Sequence, residues 1–105
     1  MISKKQIDLV SGIVSRIFKV NKVYLFGSYA YGKPDSESDL DICIVANLKG
    51  KRKIDMIREI RREISSISTF PIDILLYEYK EFNDRASLHN TFEHKILKDG
   101  ILING

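Results

Sequence analysis

Apolar residues recur at helical spacing near the start of the chain, at Ile7, Val10, Ile13, Val14 and Ile17. They predict a helix with one apolar face, closed by Phe18 and Val20 before a turn at Asn21. Ser3 and Gln6 stand ahead of it at capping-box spacing, where each side chain can satisfy a backbone N–H of the other. The pattern then changes. Val23-Tyr24-Leu25-Phe26 is a short β-prone run that stops at Gly27, and Ser28–Tyr31 predicts a small helical turn. A polar loop, Gly32–Ser38, leads to a second strand, Asp39–Val45, and Asn47–Gly50 breaks the chain again.

Ile54, Ile57, Ile60, Ile64 and Ile67 predict an amphipathic helix from Lys51 to about Ser66. Thr69-Phe70-Pro71 ends it, because proline disfavours helix at the residue before it. Ile72–Tyr77 reads as a third strand and Glu81–Lys98 as helix in two pieces, with Phe82, Leu88, Phe92 and Ile96 as its apolar points. Gly100 suits a left-handed helix cap, and Ile101-Leu102-Ile103 forms a last short strand. The order α, β, short α, β, α, β, α, β predicts an α/β (α+β) fold, a small sheet with helices packed on it, in one domain of residues 1–105. Connection lengths are too mixed to yield the strand order.

Composition narrows the class without naming a function. The 105 residues are 44% hydrophobic and 30% charged, as an ordinary folded domain is. No apolar run is long enough to span a bilayer, and no apolar block follows Lys4-Lys5 as a signal peptide requires. One cysteine, Cys43, excludes an internal disulfide and is expected to be an inert core thiol, and a cytoplasmic location is expected. The net charge of +3 favours an anionic ligand only slightly. The basic residues of the Lys51–Ser66 helix are interleaved with Asp55, Glu59 and Glu63, so they predict a solvated face rather than a nucleic-acid surface.

Asp39 and Asp41 are the most informative pair. Alternation along a strand points both carboxylates to one face, with Cα atoms about 7 Å apart, while Leu40, Ile42 and Ile44 face the core. Carboxylates so spaced suit a hard cation such as Mg²⁺, although two aspartates at a strand start also occur simply facing water. Asp73 is a third carboxylate in an otherwise apolar run; beside the Asp39–Asp41 strand it could reach the same ion or accept a proton, and on an edge strand it would face water. Gly27-Ser28 ends the first strand where a phosphate could approach the backbone, and alone it is a common turn. Gly27, Gly32 and Lys33 match the start of a P-loop, but Pro34 stands where that motif needs a hydroxyl. His89 and His94 are five residues apart, not the four that would align them on one helix face.

Together, Gly27-Ser28, ten intervening residues and Asp39-x-Asp41, with Asp73 on a later strand, resemble the signature of the polymerase-β-like nucleotidyltransferase superfamily. The chain is similar to its MNT group, the minimal nucleotidyltransferases, from Tyr24 to Ile103. The resemblance implies a small mixed sheet with packed helices and a reaction in which a hydroxyl attacks the α-phosphorus of ATP and pyrophosphate leaves. It implies that Gly27 and Ser28 hold the triphosphate, that Asp39 and Asp41 bind Mg²⁺, with two ions possible, and that Asp73 completes the metal site or acts as base. Many relatives carry an arginine where this chain has Tyr29-Ala30-Tyr31, and Lys33 is the candidate substitute as a phosphate-facing charge. Members of this size pair with a helical HEPN toxin, so the implied acceptor is a tyrosine of a HEPN partner and the implied role that of an antitoxin; a small domain leaves an acceptor pocket for a partner to build. The alternatives are a small-molecule enzyme of the aminoglycoside-modifying kind and a non-catalytic subunit that neutralises a partner. A homo-oligomer is compatible with each.

Overall fold

The computed structural model describes residues 2–17, 20–67 and 71–104. Phe18 and the Thr69-Phe70 pair, given roles above, lie outside the described residues. Helix α1 (Lys4–Ile17) opens with the expected capping box: the Gln6 N–H donates to Ser3 Oγ at 3.2 Å and the Ser3 N–H to Gln6 Oε1 at 2.9 Å. Val20 does not close this helix. It begins strand β1 (Val20–Phe26) and pairs with Ala46, because its side chain finds more apolar surface in the sheet than at a helix end.

A one-turn helix α2 (Ser28–Tyr31) follows, then β2 (Leu40–Ala46), α3 (Lys53–Ser65), β3 (Ile72–Glu78), α4 (Tyr79–Ala86), α5 (Phe92–Asp99) and β4 (Ile101–Asn104). The sheet is mixed, in the order β3-β2-β1-β4. β1 is antiparallel to both neighbours, while β3 runs parallel to β2, and α3 makes the crossover that a parallel pair requires.

Strand alternation gives the sheet two buried faces. Val23, Leu25, Leu40, Ile42, Ile44, Ile72, Ile74 and Leu76 pack with Val10, Ile13 and Val14 of α1 and with Met56, Ile60 and Ile64 of α3. Tyr24, Phe26, Cys43 and Val45 pack on the opposite side with Phe82 and Ala86 of α4 and Ile96 of α5. Each such fully buried Leu, Ile or Phe contributes roughly 1.5–3 kcal/mol. Among the described residues, no helix is long and apolar enough to cross a membrane.

Three further local expectations are corrected. The buried stripe of α3 is Met56, Ile60 and Ile64, spaced by four; Ile54 lies about 200° around the helix from Met56 at 3.6 residues per turn, and Ile67 lies past the helix end, so both are exposed. Leu88 and Phe92 are exposed because a turn over residues 87–91 separates α4 from α5. That same turn brings the His89 and His94 rings to 4.8 Å, which a continuous helix would not do. Thr91 caps α5 by accepting the His94 N–H at 3.1 Å.

Gly100 is the third correction. Its backbone is extended, at φ −68° and ψ 162°, not left-handed. Glycine is required there by proximity: a Cβ would stand 2.4 Å from the Ile96 carbonyl oxygen and 2.9 Å from that of Leu25. Gly12, in the middle of α1, is different: a methyl group on its Cα would meet nothing within 4 Å. Gly100→Ala is therefore expected to lower the urea midpoint, at a cost of about 1–3 kcal/mol. Gly12→Ala is expected to raise it, with a stability gain of about 0.4–1 kcal/mol from the unfolded chain's lost freedom. Equal midpoints for the two variants would contradict this packing of Gly100 against β1.

Candidate active site

The end of β1 and the starts of β2 and β3 meet at one edge of the sheet. Phe26 pairs with Asp41 across the antiparallel ladder, and Asp41 pairs with Asp73 across the parallel one. Paired residues in adjacent strands present their side chains on the same face, about 5 Å apart. Asp41 and Asp73 thus stand side by side, close enough to share a hydrogen bond between their carboxyls.

The local sequence explains why both aspartates point away from the larger core. In β2, Leu40, Ile42 and Ile44 are buried against α1 and α3, so Asp41 must project to the other side. In β3, Ile72 and Ile74 do the same for Asp73. A slip of one residue in either strand would turn its aspartate into the face packed on α1 and α3. The hydrophobic pattern therefore fixes the carboxylate pair.

Gly27 completes the arrangement. It has φ +71°, a conformation that L side chains rarely adopt, and it precedes α2, whose Ala30 and Tyr31 N–H groups donate to the Gly27 carbonyl at 3.0 Å. A Cβ at this position would stand 2.0 Å from Asp41 Oδ2. Glycine is thus needed twice, for its backbone angle and for the carboxylate lying against it.

The six residues singled out from the sequence divide into two groups. Gly27, Asp41 and Asp73 are in contact or directly paired, and Ser28 opens α2 immediately beside them. Asp39 lies one residue before β2, exposed, and reaches Asp41 through its charge. Lys33 is exposed in the loop after α2 and joins no ion pair among the described residues. Sequence reasoning gave no role at this edge to Phe92 or Lys95 of α5, which contact Phe26 and Tyr31. Phe92 carried an apolar signal, but nothing local marked Lys95.

Asp41 is half-buried, and its pKa is raised from 3.8 to about 6. Burial is the largest cause, followed by the hydrogen bond to Asp73 and the negative charges of Asp73 and Asp39. This chemistry fits a divalent cation. Two oxygen-donor carboxyls held together at the cost of mutual repulsion are what a hard ion would relieve. Among the described residues no three Asp, Glu, His or Cys side chains already enclose such an ion, so Asp41 and Asp73 are the preformed part and Asp39 would have to turn inward. Cys43, two residues further along β2, is fully buried and its thiol is pushed up to about 12 by that burial, which leaves it unreactive.

The sequence matches the nucleotidyltransferase domain family over residues 7–102, and the chain belongs to that family. The fold agrees. It is similar to the crystal structure of a "putative nucleotidyltransferase" from Sulfolobus solfataricus, with a TM-score of 0.63 and 25% sequence identity over 93% of this chain and 76% of that one. No protein of curated function matches the chain.

The raised pKa of Asp41 carries a stability consequence. The folded protein holds this proton more tightly than the unfolded chain does, so protonation favours the folded state. The benefit is full below about pH 4 and is lost as pH rises through about 6. In EDTA at about pH 8, Asp41→Asn is expected to melt higher than the wild type, with a stability gain of about 1 kcal/mol once solvent screening of this half-exposed pair is allowed for. The gain should vanish near pH 4. Thermal melts across that range test it, and a variant less stable than wild type at pH 8 would contradict the repulsion between Asp41 and Asp73.

Proposed function

We propose that this nucleotidyltransferase transfers AMP from ATP to a hydroxyl, in a Mg²⁺-dependent reaction whose acceptor is a tyrosine of a HEPN-type partner protein. The observation that carries the reading is the Asp41–Asp73 pair, with the Asp41 carboxylate lying against Gly27. Gly27 and Ser28 would receive the triphosphate, since the serine hydroxyl at this turn can donate to a phosphate oxygen. Asp39, Asp41 and Asp73 would hold Mg²⁺, which when bound neutralises phosphate charge as the leaving group departs.

The acceptor's oxygen forms a bond to the α-phosphorus while the bond from that phosphorus to the bridging oxygen of the β-phosphate breaks. Pyrophosphate leaves. The acceptor's proton must go to a base, and the exposure of Asp73 at the start of β3 supports that role for it. Asp41 would then serve mainly as a ligand. What the protein supplies is orientation and fixed charge, not a covalent intermediate.

Asp39 and Asp73 are both exposed, so the carboxylate edge opens outward. That favours an acceptor presented by a large partner over a small molecule enclosed by this chain. An antitoxin acting in the cytoplasm by modifying its toxin is the biological form of this reading.

The test uses purified protein with Mg²⁺ and α-labelled ATP in an extract of its source cells, with Asp41→Asn in parallel. The expected outcome is a labelled protein band with the wild type and none with the variant, the rate falling by at least about a hundredfold. Mass spectrometry of the band then locates the modified tyrosine. ATP binding without any labelled protein would overturn the protein-acceptor reading in favour of a small-molecule acceptor or a non-catalytic subunit. Labelling by Asp41→Asn at the wild-type rate would remove Asp41 from the site.

A further inference from the structure

Helix α5 approaches the Gly27–Ser28 turn from outside the sequence motif. Phe92, in its first turn, sets its ring edge-to-face on Phe26 with centroids 5.4 Å apart, and Phe26 is the residue before Gly27. One turn further on, Lys95 holds its ammonium 4.7 Å from the centre of the Tyr31 ring. Tyr31 is the last residue of α2, and its N–H donates to the Gly27 carbonyl at 3.0 Å. The helix therefore touches both flanks of the turn, with Phe92 before it and Lys95 after it.

The contacts that orient Lys95 are weak ones. An ammonium over a tyrosine face is attracted by the ring yet keeps most of its hydration and its capacity to donate hydrogen bonds. Its other partner is Asp99, 3.8 Å away, in an ion pair whose side chains are both about half exposed, a kind that contributes little. Lys95 is thus directed to this edge without being consumed by a strong partner. The edge needs such a charge, because α2 itself carries only Ser28, Tyr29, Ala30 and Tyr31, while the strands contribute Asp41 and Asp73. Lys33 has no comparable orienting contact among the described residues.

We infer that Lys95 is the cation that binds the outer phosphates of the nucleoside triphosphate, with the Tyr31 ring as its platform. This rests on the triphosphate reading above. It assigns to an exposed helix residue the charge that the α2 segment lacks, and it makes Tyr31 the group that holds the ammonium on the phosphate side of the helix.

Calorimetric titration of the whole protein with ATP and with AMP, in Mg²⁺ and with a non-hydrolysable ATP analogue as a check, tests the assignment. Lys95→Ala should weaken ATP binding about tenfold and AMP binding less than about threefold, since AMP lacks the outer phosphates. Lys95→Arg should restore most of the affinity. Tyr31→Leu should weaken ATP binding severalfold and Tyr31→Phe hardly at all, because the ring and not the hydroxyl is the platform. Lys98→Ala, which removes the same charge from an exposed position of the same helix, should change nothing. Melting curves establish folding, and Lys95→Gln keeps the side-chain length should the alanine variant be unstable. Wild-type ATP binding with Lys95→Ala or Lys95→Gln within twofold of it would overturn this inference alone, as would equal losses for ATP and AMP. A wild type that binds no triphosphate at all would overturn the parent reading and this one with it.

Discussion

The parallel register of β3 on β2 is the constraint on which the site depends. It pairs Leu40 with Ile72 and Ile42 with Ile74, all four buried on one face, and so leaves Asp41 and Asp73 adjacent on the other. The two carboxylates repel each other, and nothing local recommends their proximity. What holds them together is the apolar surface on the reverse side of the same strands. Burial of each of those residues is worth roughly 1.5–3 kcal/mol, against a repulsion that solvent reduces to about 1 kcal/mol, so the core prevails and the acidic edge is imposed.

The same imbalance explains why the turn after β1 admits only glycine. Antiparallel pairing sets Phe26 beside Asp41, and the Asp41 carboxylate then fills the space a Cβ at Gly27 would need. A carboxylate that lies against bare backbone loses water on that side, and burial is the first cause of its raised pKa. Electrostatic tension at the edge is therefore a product of backbone packing as much as of neighbouring charges. An acidic edge held together in this way would gain from receiving a cation.

How much of this was legible in the sequence depended on the range of the interaction. The Ser3–Gln6 capping box, the strand alternation around Asp41 and the break at Asn47–Gly50 are set by near neighbours, and each could be read directly. The family signature reached further, because its spacing links Gly27-Ser28 to Asp41 across a hairpin-like return of the chain. The adjacency of Asp41 and Asp73 could only be conditional, since a parallel pairing across the α3 crossover leaves no trace in local pattern. Gly100 shows the complementary failure. A glycine after a helix suggests a left-handed cap, yet here it answers to two carbonyls, that of Ile96 in its own helix and that of Leu25 on a strand 75 residues earlier. Met56 was passed over among the isoleucines of α3, although its spacing of four to Ile60 and Ile64 marks the true buried stripe.

What remained invisible was α5 as a wall of the site, and its position has a physical cause. Glu93 is buried within the helix's first turn, where it accepts a hydrogen bond from the Tyr77 hydroxyl at 2.6 Å and one from Arg85 Nε at 3.2 Å. Burial by itself would raise the Glu93 pKa, but the Tyr77 hydroxyl, the residue's own backbone N–H and Arg85 together outweigh it and lower the value, so the carboxylate stays charged and paired. Tyr77 is raised in turn, by its own burial and then by the carboxylate it bonds. The bonds tie α5 to β3 through Tyr77 and to α4 through Arg85, while Ile96 anchors the helix in the core beside Phe26 and Cys43. Satisfied buried charge of this kind specifies one orientation more sharply than apolar packing does, because any shift leaves a costly unpaired group. Phe92 flanks Glu93 and Lys95 follows it by two residues, so the angle at which both meet the Gly27 turn is inherited from this network. Had Glu93 been apolar, α5 could still have covered the sheet, but the rotation that brings Lys95 over Tyr31 would have had far less to define it.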